Sequence, residues 1–157
     1  MPRPYIVRLI MDRVHEAMVI IKRRPNGRPY VLGGVVFRPF YEQKFAEIVF
    51  LAITTSEQVK GYGSRLMNKL KDHAKTKQLY YFLTYADNNA IEYFKKQGFT
   101  KTLSKDVSDG NLVMRNSCHM PETRWKGYIK DYNGSTMMQC AVHRAVTHST
   151  FYRDIRQ

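Results

Sequence analysis

The chain has 157 residues, 43% of them hydrophobic and 25% charged, which suits one globular domain with a sizeable core. Twenty-six basic residues stand against 13 acidic ones, a net charge of +13 spread as +6 over residues 1–40, +3 over 41–100 and +4 over 101–157. Such a surplus favours acidic partners (nucleic acid, membrane surfaces, phosphorylated cofactors) without choosing among them, and a solvated basic surface accounts for it equally well. The longest strongly apolar stretch, Ala46 to Ile53, contains Glu47 and falls far short of the ~20 residues a bilayer span needs; no signal-peptide core follows Met1. The two cysteines, Cys118 and Cys140, are too few for a disulfide framework, and their spacing suits no zinc site.

In chain order, Tyr5 to Ile10 reads as a strand, rich in β-branched residues and roughly alternating, and Ala17 to Ile21 as a second. Pro25-Asn26-Gly27 is a turn, and Tyr30 to Arg38 a third strand that completes a meander. Inside it, Gly33-Gly34 predicts a bulge or a close backbone approach. Phe45 to Ile53 is near-continuously apolar, as for a central strand buried on both faces. A loop from Thr54 to Gly63 leads into an amphipathic helix ending near Lys77, with Leu66, Leu70 and Ala74 inward and Lys69, Lys71, Asp72 and Lys75 toward water. Leu79 to Tyr85 is another buried strand, and its pairing with Phe45–Ile53 across the helix should be parallel.

Asp87 or Asn88 can cap a short helix running through Gln97, with Gly98 at its carboxyl end. Residues 101–124 are polar and aperiodic, with a turn at Asp109-Gly110-Asn111, and read as an exposed excursion. Thr136 to His143 is a late strand, and the last ten residues are weakly helical. Residues 1–157 thus form a single mixed α/β domain around one sheet.

Three segments carry candidate chemistry. Gln58-Val59-Lys60-Gly61-Tyr62-Gly63 lies between a buried strand and a helix, where unpaired N–H groups and the helix dipole favour an anion such as pyrophosphate. A glycine pair also simply makes a tight turn, and the spacing matches neither a Walker loop nor a dinucleotide fingerprint. Glu47 stands alone in an apolar strand, so its pKa should rise toward the range of a general base, unless a basic neighbour pairs with it. Leu83 to Phe94 runs from a strand end into a helix, and its Tyr85, Tyr93 and Phe94 could line a slot or fill the core. Parallel strands collect ligands at their carboxyl ends, so all three segments should share one edge.

These strings, Phe45-Ala-Glu-Ile-Val-Phe50, Glu57-Gln-Val-Lys-Gly-Tyr-Gly63, Leu83-Thr-Tyr-Ala-Asp87, Tyr93-Phe-Lys-Lys-Gln-Gly-Phe99 and Lys126-Gly-Tyr-Ile-Lys-Asp-Tyr132, resemble the GNAT superfamily of acyl-CoA N-acyltransferases, and within it the general-control-nonderepressible/PCAF type of histone acetyltransferase. The resemblance runs from about Tyr5 to the C-terminus. It implies the GNAT fold, a mixed α+β sheet flanked by helices, and transfer of acetyl from acetyl-CoA to a lysine of a histone tail, histone H3 in particular, with no metal. It implies that Glu47 is the general base, acting through an ordered water. The backbone of Leu51, Ala52 and Ile53 would hold the pantetheine arm, with the Ile53 amide or a neighbour polarising the acetyl carbonyl. Gln58, Val59, Lys60, Gly61, Tyr62, Gly63 and Ser64 would cradle the pyrophosphate, and Tyr93 and Phe94 would sit near the thioester. Lys126, Gly127 and Tyr128 would wall the peptide groove across from Tyr85, Ala86 and Asp87.

Asn89 departs from the pattern, standing where an aromatic packs on the cofactor, and residues 103–118 look like an insertion, either a tolerated surface loop that the chemistry does not need or one whose Lys105, Asp106, Asp109 and Arg115 touch substrate or a partner. The resemblance further implies a nuclear location, chromatin-complex adaptor subunits as partners, DNA contact through the basic surface and no membrane. A lysine amine titrates near ~10.4 and needs such a base before it can attack a thioester directly; backbone donors would stabilise the resulting oxyanion. The acidic residues Glu42, Glu47, Glu57, Asp87, Glu92 and Asp131 should offset the basic surface around a cationic substrate. Two other readings are an acetyltransferase of the same fold acting on a small amine or a protein amino terminus, and a basic nucleic-acid-binding module without catalysis.

Overall fold

The computed structural model describes residues 2–102 and 119–149. The 103–118 insertion with its Asp109–Asn111 turn, Cys118, and most of the expected C-terminal helix lie outside the described residues. A helix α1 (Arg3–Met11) opens the chain, followed by strands β1 (Glu16–Arg23), β2 (Pro29–Phe40) and β3 (Phe45–Ile53). A single 3-10 turn (Thr55–Glu57) leads to α2 (Tyr62–Thr76), then β4 (Tyr81–Ala86), α3 (Ile91–Lys96), β5 (Thr100–Lys101), α4 (Glu122–Trp125) and β6 (Thr136–Ala141). The sheet order is β1-β2-β3-β4-β6-β5, with β3 and β4 the parallel pair and all other neighbours antiparallel. This is the mixed sheet flanked by helices that the sequence pattern implies.

The first expected strand, Tyr5–Ile10, is instead α1. Proline at its first positions presets the helical φ, and the Pro2 carbonyl accepts from the Tyr5 and Ile6 amides at 3.1 and 3.2 Å. Its β-branched residues imitate strand alternation, but Leu9 buries while Val7, Ile10 and Met11 stay exposed. The sequence also did not reveal β5 or α4, whose two and four residues are too short for any periodicity.

Both glycine expectations hold. The β1–β2 register slips between Ile20 and Ile21, and a Cβ on Gly33 would lie 2.3 Å from the Ala52 carbonyl oxygen. Gly33 therefore lets β2 approach β3 closely at the segment expected to hold a ligand.

Two clusters cover the two faces of the sheet. Ala46, Ile48 and Phe82 meet Leu66, Met67 and Leu70 of α2 and Phe94 of α3 on one face. On the other, Phe45 and Leu83 pack with Phe40, Met120, Trp125 and Ile129. Side chains of this size, fully buried, contribute roughly 1.5–3 kcal/mol each. Lys71, expected to face water, is 7% exposed: its ammonium donates to the Gln97 carbonyl at 2.6 Å. Asp72 and Lys75, also expected at the surface, bond the 146–149 segment that crosses α2. Long polar side chains reach over the apolar stripe to carbonyls that the helical pattern alone cannot reveal.

Candidate active site

The parallel pairing of β3 with β4 stops early. Phe45, Ala46 and Glu47 pair with Tyr81, Phe82 and Leu83, and no residue of β3 beyond Glu47 finds a partner on β4. On the other side, β3 stays paired with β2 to Ile53, but the register slips between Val36 and Phe37, leaving Val49 as the extra residue of a bulge. The bulge turns β3 away from β4, and the Thr84 hydroxyl, donating to the Ile48 carbonyl at 3.0 Å, pins the point of divergence. Alternate residues from Val49 to Ile53 thus direct backbone groups into open space. The wedge is a cleft of about 990 Å³, as large as the sites that hold cofactor-sized ligands.

Most of the expected site residues converge on this cleft. Glu47, Leu51, Ala52 and Ile53 line it from β3; Gln58, Val59, Gly61, Gly63 and Ser64 from the loop and α2; Tyr85, Ala86, Asp87, Asn89, Tyr93 and Phe94 from β4 and α3. Thr84, Tyr132 and Ser135 also line it and were not singled out. Tyr132 ended a quoted string, but its position beside Tyr85 comes from β6 pairing with β4, a long-range contact. Lys60, Tyr62, Lys126, Gly127 and Tyr128 do not line it. Lys60 pairs with Glu57 at 3.3 Å and Lys126 with Glu122 at 2.9 Å, while Tyr128 packs edge-on against Phe40 and Phe45 and accepts a hydrogen bond from Gln43.

Where β3 and β4 part, Glu47 is 8% exposed, and burial pushes its carboxyl up to about 7. Its cross-strand neighbour Arg38 pulls the other way, but that guanidinium rests 4.8 Å from the Phe40 ring centroid. Among the described residues Glu47 makes no ion pair, so desolvation prevails over pairing. Tyr85 and Tyr132 line the cleft with it and feel its charge. Tyr85 donates its hydroxyl to Asp131, its ring meets that of Tyr132 edge-on at 5.7 Å, and Tyr132 and Tyr5 share a hydroxyl–hydroxyl bond of 3.3 Å. Burial first, then Asp131 and the charge of Glu47, hold Tyr85 well above the ordinary phenol range, so it stays a donor. Of the six acidic residues expected near the groove, Glu47, Glu57 and Asp87 line the cleft, Asp131 braces Tyr85, Glu92 pairs with Lys95 away from it, and Glu42 is exposed and does not line it.

At the other end, α2 begins with no side-chain cap and no acidic residue in its first turn. Its first amides therefore point outward unpaired. Gly61 holds a left-handed φ of +79°, and a Cβ there would meet nothing within 4 Å, so the space in front of the helix is open. Val59 also carries a left-handed φ of 66°, a strained state for a β-branched residue. The loop is held from behind: the Gln58 side chain donates to the Ile53 carbonyl at 3.0 Å, so it braces the cradle rather than reaching outward. Asp87 does not cap α3 directly but accepts from the Ala90 amide at 2.9 Å, one turn ahead of it.

A family model for the acetyltransferase (GNAT) family matches residues 3–99. The chain belongs to the GNAT family. Among curated GNAT relatives, the histone acetyltransferase GCN5 of Oryza sativa subsp. japonica is 47% identical over 158 residues, covering 100% of this chain and 27% of that protein. The chain thus spans about a quarter of that relative's length. The crystal structure of Tetrahymena GCN5 superimposes with a TM-score of 0.77 at 51% identity, covering 94% of this chain and 80% of that one. The catalytic domain of Tetrahymena GCN5 histone acetyltransferase in complex with coenzyme A gives 0.64 at the same identity, covering 94% and 78%. No helix among the described residues is long and apolar enough to cross a membrane, and none of their His, Cys, Asp or Glu side chains group to hold a metal ion.

Proposed function

We propose that this domain is a histone lysine acetyltransferase, moving acetyl from acetyl-CoA to a lysine amine of a histone tail, histone H3 in particular, with Glu47 as general base. The observation that carries the reading is the cleft with a buried carboxylate at one end and bare helix amides at the other. Acetyl-CoA fits what is present. The open α2 amino terminus suits its pyrophosphate, the unpaired β3 edge its amide-bearing arm, and the cleft volume its bulk.

A lysine ammonium titrates near ~10.4 and cannot attack a carbonyl. Glu47, its carboxyl pushed by burial up to about 7, can accept the proton near neutral pH as the amine attacks, directly or through one water. The low polarity that raises its pKa also keeps bulk water from competing. In this reading the β3 amides near Ile53, unpaired with β4, donate to the developing oxyanion. Asp87, which lines the cleft, and the Tyr85–Asp131 pair supply negative charge and aromatic faces suited to a cationic side chain.

The nucleus as the site of action, adaptor subunits of a chromatin complex as partners, and DNA contact through the +13 surface accompany this reading. A short peptide of histone H3, incubated with the domain and acetyl-CoA, should gain one acetyl mass on a lysine by mass spectrometry. No product from H3 peptides, with product from a polyamine or an amino-terminal amine, would favour the small-amine or amino-terminal reading.

A further inference from the structure

Two side chains one turn apart, Tyr93 on α3 and Gln97 at its carboxyl cap, grip two consecutive residues of the α2 amino terminus. Tyr93 donates its hydroxyl to the Gly63 carbonyl at 3.0 Å, and Gln97 donates its side-chain amide to the Ser64 hydroxyl oxygen at 3.0 Å. Spacing i, i+4 across the last turn and cap puts both donors on one side. Gln97 is held from both sides. Its backbone N–H bonds the Tyr93 and Phe94 carbonyls at 3.1 and 3.0 Å, and its own carbonyl accepts from the buried Lys71 ammonium at 2.6 Å. A left-handed Gly98, with φ +87°, ends the helix immediately after it. The side chain therefore leaves a fixed backbone toward α2.

The polarity of this contact matters. A serine hydroxyl has one hydrogen to give and two lone pairs to accept with. Gln97 occupies a lone pair, so the hydrogen must turn elsewhere, and Ser64 lines the cleft at the third helical position of α2, beside the open space at Gly61. We propose that Gln97 is a positioning residue: anchored by Lys71, it fixes the Ser64 hydroxyl as a donor into the phosphate cradle, adding a side-chain donor to the backbone amides. The proposal rests on the acetyl-CoA reading above, since it needs a phosphate in front of α2. The carboxamide acts through Ser64 and touches no reacting atom.

Coenzyme A binding by titration calorimetry tests it, on the whole domain, with thermal melts as a control for folding. S64A should weaken binding about tenfold, or ~1.4 kcal/mol. Q97M should weaken it three- to tenfold, and the S64A/Q97M double variant no more than S64A alone, because without the hydroxyl there is nothing left to orient. Q97E is the decisive variant. Its carboxylate matches glutamine in size but can only accept, so it captures the Ser64 hydrogen, and binding should fall at least as far as in Q97M. A merely structural glutamine predicts the reverse: Q97E milder than Q97M, with additive losses in the double variant. Either result overturns the proposal. Failure of the unaltered domain to bind coenzyme A would instead overturn the acetyl-CoA reading on which it stands.

Discussion

The two ends of the cleft are built from different materials. The Glu47 end is made of side chains: Glu47, Tyr85 and Tyr132, with Asp131 and Arg38 behind them. The α2 end is mostly backbone: the first turn of α2, a left-handed Gly61, and Gly63 packed against Tyr93. The difference separates their sensitivities. Chemistry at the Glu47 end depends on which acid is present and on its protonation. Anion binding at the α2 end depends on what the chain's bends permit, and neither Gly61 nor Gly63 contributes a side-chain functional group.

The largest expected effect belongs to the Glu47 end. Glu47→Gln keeps size and hydrogen bonding but cannot take a proton, so turnover on a histone peptide should fall by ~10²–10⁴-fold. In the unaltered enzyme the rate should rise with pH through about 7, where Glu47 loses its proton. The variant should lose that step and recover part of its rate at high pH, where solvent deprotonates the lysine. Coenzyme A affinity, measured by calorimetry, should not move. Near-normal turnover at neutral pH would remove Glu47 from the mechanism.

The complementary change is at the α2 end. A Cβ on Gly63 would stand 3.1 Å from the Tyr93 ring, so any side chain there presses on the latch from α3. Gly63→Asp adds a negative charge facing the phosphates, and coenzyme A binding should weaken by roughly 10²-fold. Gly63→Ala, with the crowding but no charge, should cost less. Equal losses in both would mean that packing on Tyr93, not the field at the helix terminus, governs the cradle.

Burying Glu47 also has a consequence for stability. Its folded pKa of about 7 exceeds the ordinary 4.5, so between these values the folded chain binds more protons than the unfolded one. Stability contributed by this group is full below pH 4.5 and is lost as pH rises to about 7. Glu47→Gln should therefore stabilise the domain by up to about 3 kcal/mol at pH 8 and by little at pH 4. Urea unfolding of both proteins at the two pH values measures it. An equal effect at both pH values would show that the carboxyl is not desolvated.

What was legible in the sequence follows the same division. The segment from Phe45 to Phe99 could be read almost residue by residue, because each element there is long or strongly patterned, and β3 has the bounds expected for it. The convergence of Glu47, the glycine loop and the β4–α3 junction followed from one rule about parallel strands. The opposite face was harder to read. Its helix α1 imitates a strand, and α4 has four residues. Expectations for Lys126 and Gly127 as groove walls rest on a string rather than a period, and neither residue reaches the cleft lining, while Tyr132 and Ser135 from the same region do. The Val49 bulge that opens the wedge leaves no mark in the residue order, since it arises from how β2 and β3 pair. Lys71 shows the same limit, as its burial depends on where α3 ends.

The smallest effect expected is at the seam between these regions. Tyr5 is the residue of α1 that reaches the site wall, through a hydroxyl–hydroxyl bond to Tyr132 that is the main cause of a Tyr132 pKa pushed up to about 12. The Tyr132 ring has a second support, its edge-on packing against Tyr85, which Asp131 fixes in turn. Tyr5→Phe removes one partly exposed hydrogen bond, worth ~0.5–1.5 kcal/mol at most, and leaves the ring packing intact. The KM for a histone peptide should rise by no more than about threefold, with kcat and coenzyme A affinity unchanged, in steady-state kinetics at saturating acetyl-CoA. A rise beyond tenfold would mean that α1, and not the β4–β6 pairing, sets the position of the tyrosine wall, and that the mostly exposed first helix is part of the peptide site.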